Sequence, residues 1–110
     1  MNMTVQTKQI EDQGVTIYVE GEVDVYTAPK LRESLMQHCE TEDLVRIDLS
    51  GVNYIDSTGL GVLIGAYKAQ IATEGKLIII GMNERIKRLF QVTGLDSVIQ
   101  IEENQEGGQA

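Results

Sequence analysis

Segments with strand-like and helix-like spacing of apolar residues alternate along this chain. Apolar residues alternate with polar ones at 15–19 and again at 44–49, which is the period-two pattern of strands with one face against a core. Residues 77–80 form a continuous apolar run, which is typical of a strand inside a sheet. Helical spacing follows each of these strands, in the ranges 29–39, 60–72 and 86–90. Strand–helix–strand units favour parallel pairing with right-handed crossovers, so we predict an α/β fold.

Two weaker strands flank this pattern. Residues 3–10 can form an antiparallel hairpin with the strand at 15–19, and residues 98–101 can form a short edge strand. Asn83 is suited to cap the third helix, and Gly94 is suited to end it. We therefore predict a mixed, mostly parallel sheet of four to five strands.

The helices are expected mainly on one face of that sheet. If successive strands step across it in one direction, right-handed crossovers place the helices on the same side. The other face would then be partly wet, in agreement with the polar residues that alternate there: Thr16, Tyr18, Arg46 and Asp48. We predict a single domain over residues 1–101, followed by an acidic, solvated tail at 102–110.

Charge and composition restrict the partners of this domain. With 9 Lys and Arg against 17 Asp and Glu, the net charge is −8, which disfavours nucleic acid and anionic membranes as partners and favours a protein with a basic patch. Cys39 is the single cysteine and His38 the single histidine, so we expect no intrachain disulfide and no zinc site. Because no apolar run approaches the roughly 20 residues that span a bilayer, and no signal peptide is visible, we expect a cytoplasmic location.

Residues 55–61 read Ile-Asp-Ser-Thr-Gly-Leu-Gly and lie between a predicted strand and a predicted helix. Ser57 therefore falls at or beside a helix N-terminus, where unpaired backbone N–H groups and the helix dipole could hold a phosphate. A phosphoserine carries about −1.5 to −2 charges, and Ser57 is a candidate phosphorylation site. The alternative is that Asp56, Ser57 and Thr58 only cap the helix, a position that these residue types favour. Local chemistry leaves both interpretations open.

The spacing around this motif does not support catalysis. The Gly-x-Ser-x-Gly elbow of serine hydrolases is broken because Ile55 stands at the first glycine position, and His38 belongs to another predicted helix. Gly59, Gly61 and Gly65 resemble a stretched dinucleotide fingerprint, but close helix packing explains them equally well. We therefore expect no catalytic residue, no metal and no cofactor.

A second polar cluster follows the strand at 15–19. It consists of Glu22, Asp24, Tyr26 and Thr27. If this strand neighbours the one that precedes Ser57, parallel pairing brings both segments to the same edge of the sheet, where ligand sites usually form. The alternative interpretation is a solvated turn.

Three ordered motifs carry a resemblance to a known family. They are Gly-Glu-Val-Asp-Val-Tyr-Thr-Ala-Pro at 21–29, IDSTGLGVLIG at 55–65 and Arg-Leu-Phe-Gln-Val-Thr-Gly-Leu at 88–95. Together they resemble a STAS-domain anti-anti-sigma factor, which is an anti-sigma factor antagonist. They are most similar to the branch that acts on the general-stress sigma factor of Gram-positive bacteria. The resemblance covers nearly the whole chain and implies a STAS-like fold for the predicted α/β domain.

The resemblance implies a regulator that is not an enzyme. Unphosphorylated members of the family bind an anti-sigma factor that is also a serine kinase, and that factor then releases its sigma factor. The kinase phosphorylates the serine that matches Ser57 here, and a separate serine phosphatase removes the phosphate. The implied partner-binding residues are Glu22, Asp24, Asp56, Ser57, Thr58, Gly59, Leu60 and Gly61.

Two alternatives to this switch remain open from the sequence. The chain could be a STAS scaffold subunit of a larger signalling assembly, in which Ser57 serves only as a helix cap. It could also be a small ligand-binding domain that uses the glycine segment and Asp24. These alternatives belong to different functional classes and differ in what they bind.

Overall fold

Five strands and three helices make up residues 2–10 and 14–102, the part of the chain that the computed structural model describes. A short 3₁₀ helix, Leu95–Ser97, connects the last helix to the last strand. In chain order the elements are β1 (Met3–Ile10), β2 (Gly14–Val23), α1 (Ala28–Cys39), β3 (Leu44–Ile55), α2 (Ser57–Ala72), β4 (Lys76–Ile80), α3 (Glu84–Thr93) and β5 (Gln100–Glu102). This order confirms the alternation that the apolar spacing predicted.

The strands form one sheet in the order in which they occur in the chain. β1 pairs antiparallel with β2, and the neighbours from β2 to β5 pair in parallel. The predicted hairpin between β1 and β2 is confirmed, although residues 11–13 of its turn lie outside the described residues. The sheet is therefore mixed and mostly parallel, as predicted.

The hydrophobic core lies on one face of this sheet. Ile17 of β2 and Ile47 of β3 are paired in register and are both fully buried. Each helix contributes buried side chains to the same apolar cluster, including Leu35 of α1, Leu63 of α2 and Phe90 of α3. The helices therefore cover the face that the crossover handedness predicted.

The opposite face of the sheet is only partly wet. Tyr18, Arg46 and Asp48 are half-buried there, which fits a polar face. Thr16 departs from the prediction because it is only 3% exposed. It pairs with Lys8 in β1 and with Arg46 in β3, so a long side chain stands beside it on each neighbouring strand. A polar residue of an interior strand is thus buried without facing the core.

Two elements extend beyond their predicted bounds where they meet. β3 continues to Ile55 instead of ending at Leu49, and α2 begins at Ser57 instead of Leu60. Only Asp56 separates the two elements, so the strand passes into the helix with almost no loop. Ser57 therefore lies at a fixed position in the fold.

β3 contains two β-bulges beside residues 18–22 of β2, and each bulge adds one residue to β3. As a result Val52 faces the core and is 2% exposed, while Asn53 and Tyr54 are both exposed. Strict alternation would instead have placed Gly51 and Asn53 inward. The bulges keep the interior apolar in a segment whose sequence does not alternate.

The last helix has the predicted caps, and the last strand is present but covers Gln100–Glu102 instead of residues 98–101. The Asn83 carboxamide oxygen accepts a hydrogen bond from the Ile86 N–H at 2.8 Å, and Gly94 ends α3 with a left-handed φ of 79°. Glu102 belongs to β5, one residue past the predicted domain boundary, and residues 103–110 of the predicted tail lie outside the described residues. None of the helices in the described ranges is long and apolar enough to cross a membrane.

Candidate functional site

The carboxyl ends of β2 and β3 lie side by side at one edge of the sheet. Glu22 pairs with Tyr54, and the Asp56 N–H donates to the Val23 carbonyl at 3.3 Å. The polar segment that follows β2 therefore meets the segment that leads into Ser57. This confirms the juxtaposition expected if the two strands were neighbours.

Asp56 is the N-cap of α2. Its carboxylate accepts hydrogen bonds from the N–H groups of Thr58 at 3.0 Å and Gly59 at 3.1 Å, and its carbonyl accepts one from the Leu60 N–H at 3.0 Å. A cap of this type stabilises a helix by about 1 kcal/mol relative to alanine. One side chain thus satisfies two backbone donors of the first turn.

Ser57 is the first residue of α2, and its side chain is exposed. Within the described part of the chain, its hydroxyl makes no hydrogen bond. The interpretation in which Ser57 itself caps the helix does not hold, because Asp56 occupies the cap position. The Ser57 hydroxyl therefore lies at the surface, beside the start of α2.

Two of the first-turn N–H groups that the sequence suggested as a phosphate site are already occupied. Thr58 and Gly59 donate theirs to the Asp56 carboxylate. A phosphate on Ser57 would lie next to that carboxylate, so repulsion between like charges would oppose the attraction of the helix dipole. Two of the N–H groups expected to hold a phosphate are thus paired with Asp56, and phosphorylation of Ser57 stays a prediction.

Asp24 organises the turn between β2 and α1. One of its carboxylate oxygens accepts hydrogen bonds from the N–H groups of Tyr26 at 2.9 Å and Thr27 at 3.1 Å. The Thr27 hydroxyl in turn accepts from the Asp24 N–H at 2.9 Å and donates to the Glu22 carbonyl at 2.9 Å. Asp24 is only 8% exposed, so it holds the turn from inside and offers a partner little contact area.

The implied partner-binding residues divide into surface and interior. Ser57, Thr58 and Gly61 are exposed, Glu22 and Asp56 are half-buried, and Asp24, Gly59 and Leu60 are buried. A methyl group added to Gly59 would lie 2.6 Å from Ile55 Cγ1 and 2.7 Å from Val23 Cγ1, whereas one added to Gly61 would meet nothing within 4 Å. Gly59 therefore allows α2 to pack on the strands, and Gly61 faces outward.

A cleft of about 570 Å³ opens beside the start of α2. Exposed apolar side chains surround it, with Val25 at 57%, Tyr26 at 79% and Tyr54 at 48% exposure. The residues that line it are Glu22, Asp24, Val25, Tyr26, Asn53, Tyr54 and Asp56. Every charged residue in that lining is a carboxylate, so the cleft suits a partner group that is basic and partly apolar.

Sequence reasoning missed three of these lining residues. Val25, Asn53 and Tyr54 were not among the candidate residues, and Tyr26 was noted only as part of a polar cluster. The signal at Val25 and Tyr26 was present, because two large apolar residues stand in a turn between Asp24 and Thr27. The exposure of Asn53 depends on a β-bulge, which is a property of the pairing between β2 and β3.

Other reactive groups lie away from this cleft. The only histidine of the chain, His38, is in the last turn of α1, which runs back from the edge where Ser57 lies. Burial raises the pKa of the Cys39 thiol to about 11, with a smaller contribution from Glu40. Across residues 2–10 and 14–102, no group of three or more His, Cys, Asp or Glu residues could hold a metal ion.

Comparisons with known proteins agree with the fold. The model of the STAS domain family matches residues 4–107. An anti-sigma-B factor antagonist of Listeria monocytogenes is 44% identical over 108 residues, which cover 97% of this chain and 94% of the relative. The anti-sigma-B factor antagonist of Bacillus subtilis is 44% identical over 108 residues, which cover 98% of each chain.

A solved structure shows the same architecture. The crystal structure of an anti-sigma factor antagonist from Mycobacterium paratuberculosis superimposes with a TM-score of 0.82 at 26% identity, covering 91% of this chain and 85% of that one. The resemblance inferred from the three sequence motifs is thereby confirmed. The chain belongs to the STAS domain family and, with these relatives, to its anti-sigma factor antagonists.

Proposed function

We propose that the unphosphorylated form of this protein binds an anti-sigma factor with serine kinase activity and thereby frees a sigma factor. The observation that carries the proposal is the position of Ser57, which is exposed at the first residue of α2 while Asp56 caps the helix. Because Ser57 is not needed as a cap, its modification changes the charge of the surface and leaves the fold in place. The similarity to anti-sigma-B factor antagonists supports the choice of partner.

Phosphorylation of Ser57 would act directly on the contact surface. It adds about −1.5 to −2 charges next to Asp56 and close to the cleft that Glu22 lines. A partner that packs over Ser57 would have to bury this phosphate among carboxylates, and a buried charge without a partner costs several kcal/mol. Converting a complex from about 99% bound to about 99% free requires about 5.5 kcal/mol, which is of that order.

A serine phosphatase would complete the switch by restoring the hydroxyl. The exposed side chain of Ser57 supports access for such an enzyme as well as for the kinase. The protein itself is proposed to be a substrate and a ligand and not an enzyme, in keeping with the position of its single histidine, His38, in the last turn of α1. Phosphorylation and dephosphorylation then set the fraction of the protein that binds its partner.

Calorimetric titration with the anti-sigma factor kinase of the same organism tests this proposal. Wild type and Ser57→Ala are expected to bind alike, and Ser57→Asp at least about tenfold more weakly, which is roughly 1.4 kcal/mol. With ATP and Mg²⁺, the kinase should phosphorylate wild type and leave Ser57→Ala unmodified. Gln91→Glu is the matched control, because it adds one negative charge at an exposed position on α3.

Four outcomes would change the conclusion. Equal affinity of Ser57→Asp and wild type would contradict control by charge. Phosphate on the Ser57→Ala variant would move the acceptor, with Thr58 as the first residue to examine. A stable homo-oligomer without affinity for the kinase would favour the scaffold role, and binding heat from a nucleotide would favour the ligand-binding role.

A further inference from the structure

The turn between β2 and α1 holds two large apolar side chains in solvent. Val25 and Tyr26 stand at its tip, 57% and 79% exposed, while hydrogen bonds from Asp24 and Thr27 fix the backbone on either side. Tyr54 adds a third exposed apolar side chain across the cleft. Clusters of exposed apolar groups with a polar rim mark protein contact sites, and tyrosine is among the residues that most often dominate binding.

We propose that Val25, Tyr26 and Tyr54 form the apolar anchor that binds the anti-sigma factor kinase, and that Asp24 and Thr27 are positioning residues that hold Tyr26 in place. This inference rests on the proposed function and names the residues that contribute most of the binding energy at the same surface. The three anchor residues lie outside the helix start, where the switch residue is. The binding energy is thus assigned to the three anchor residues, and the control of binding by phosphorylation is assigned to Ser57.

Continuity with Ser57 identifies the occupant of the cleft. Asp56 lines the cleft and also caps α2 directly before Ser57, so the two surfaces share a residue. A standard protein interface buries about 800 Å² on each partner, which corresponds to a disc of roughly 16 Å radius. A kinase that docks at Ser57 with an interface of ordinary size therefore covers the cleft as well.

The chemistry of the cleft defines the complementary group on the kinase. The residues that line it include the carboxylates Glu22 and Asp56 and the aromatic residues Tyr26 and Tyr54. An arginine or lysine side chain satisfies both, because its apolar stem packs on the rings while its charged end meets the carboxylates. The contacting segment of the kinase should carry such a basic residue beside apolar ones.

Anchor residues and the switch residue should have different kinetic signatures. The anchor contacts the kinase in the ground state and in the transition state of phosphoryl transfer alike, so its loss should raise KM and leave kcat unchanged. Thr27 should behave in the same way if it only positions Tyr26. Loss of a residue needed for the chemical step would lower kcat instead.

The experiment measures binding by calorimetry and phosphorylation kinetics with the purified kinase. Tyr26→Ala and Tyr54→Ala should each weaken binding at least about tenfold and raise KM by a similar factor, with kcat within about twofold of wild type. Val25→Ala should weaken binding, whereas Val92→Ala should not. Val92 is a matched control because it is an exposed valine, at 77%, on the outer surface of α3.

Thr27 is tested by removal and restoration of its hydroxyl. Thr27→Val keeps the shape of the side chain but loses the bonds to the Asp24 N–H and the Glu22 carbonyl, so it should raise KM several-fold with kcat unchanged. Thr27→Ser restores the hydroxyl and should restore KM. A variant with a raised KM that serine does not rescue would overturn the positioning role.

Failure of this inference is distinguishable from failure of the proposed function. If Tyr26→Ala and Tyr54→Ala bind like wild type while Ser57→Asp does not, the anchor is wrong and the switch stands. A fall in kcat at constant KM in the tyrosine variants would also overturn the anchor. If Ser57→Asp binds like wild type, the proposed function itself fails.

Discussion

Substitution of Gly59 by alanine tests the packing of α2 against the sheet, with Gly61 as an internal control. A methyl group on Gly59 would approach Ile55 Cγ1 to 2.6 Å and Val23 Cγ1 to 2.7 Å, and both side chains belong to the buried core. Overpacking of this kind costs about 1–3 kcal/mol. The gain in helix propensity from glycine to alanine is about 1 kcal/mol, so Gly59→Ala should be neutral to destabilising by about 2 kcal/mol.

Gly61→Ala gains the same helix propensity, and its added methyl group does not clash with another residue. Its added methyl group meets nothing within 4 Å, so this variant should be up to about 1 kcal/mol more stable than wild type. Urea unfolding followed by circular dichroism should separate the midpoints of the two variants by about 1 M, with Gly59→Ala lower. A Gly59→Ala midpoint equal to or above that of Gly61→Ala would refute the reasoning.

The same pair of variants separates packing from partner contact. Gly61 is exposed and Gly59 is buried, so a partner can touch only Gly61 directly. Gly61→Ala should therefore weaken binding of the kinase more than Gly59→Ala does, at a temperature where both are folded. The opposite order would show that binding depends on the packing of the helix start.

Three further predictions concern stability. The native Cys39 thiol has a pKa of about 11, whereas an unfolded thiol loses its proton near pH 9.0. The free energy of unfolding should therefore fall between these pH values, by about 2–3 kcal/mol more in wild type than in Cys39→Ala. Urea unfolding at each pH measures this difference. Asn83→Ala removes the cap bond to Ile86 and the bond from the Asn83 amide to the Val52 carbonyl, and should cost about 1 kcal/mol or more in thermal unfolding. Asn83→Asp should recover only part of this loss, because an aspartate keeps the cap but cannot donate to Val52. Gly94→Ala meets no clash within 4 Å, but its φ of 79° disfavours alanine, so urea unfolding should show a loss of about 1–2 kcal/mol.

The sequence predicted those elements whose apolar spacing is regular. The alternation in β2 and the continuous run of β4 identified the interior strands, and the spacing of Ile86 and Phe90 identified the buried side of α3. These patterns are visible in the sequence because each such element buries one face or both faces against neighbouring elements. The order of the strands was an assumption and is known from the structure, because crossover handedness determines the side on which the helices lie and not the order of the strands.

The second half of β3 could not be predicted because its residues do not alternate. Gly51 and Asn53 stand where alternation requires inward apolar residues, so the strand pattern ends at Leu49. The bulges that solve this problem depend on pairing with β2, which is a property of the folded sheet. The exposure of Asn53 and Tyr54, and the cleft they line, could be seen only in the structure.

The role of Asp24 could be predicted only in part. Its residue type indicated a polar site at the edge of the sheet, and the structure confirms that location. Its burial was not foreseen, because a carboxylate that accepts bonds from two neighbouring N–H groups looks the same in sequence as one that faces solvent. Residue identity thus located the site but did not separate the residues that build it from those that a partner can touch.

The strands lie in the sheet in the same order as in the chain, and this arrangement affects folding. Each new strand is added at the edge formed by the preceding one, so the contacts of the sheet join segments that are close in sequence. Folding rates increase as such contacts become more local. The surface around Ser57 uses β2, the turn before α1, β3 and the start of α2, and all of its residues precede β4 in the chain. As the chain leaves the ribosome, every residue of that surface is available before the last two strands have been made.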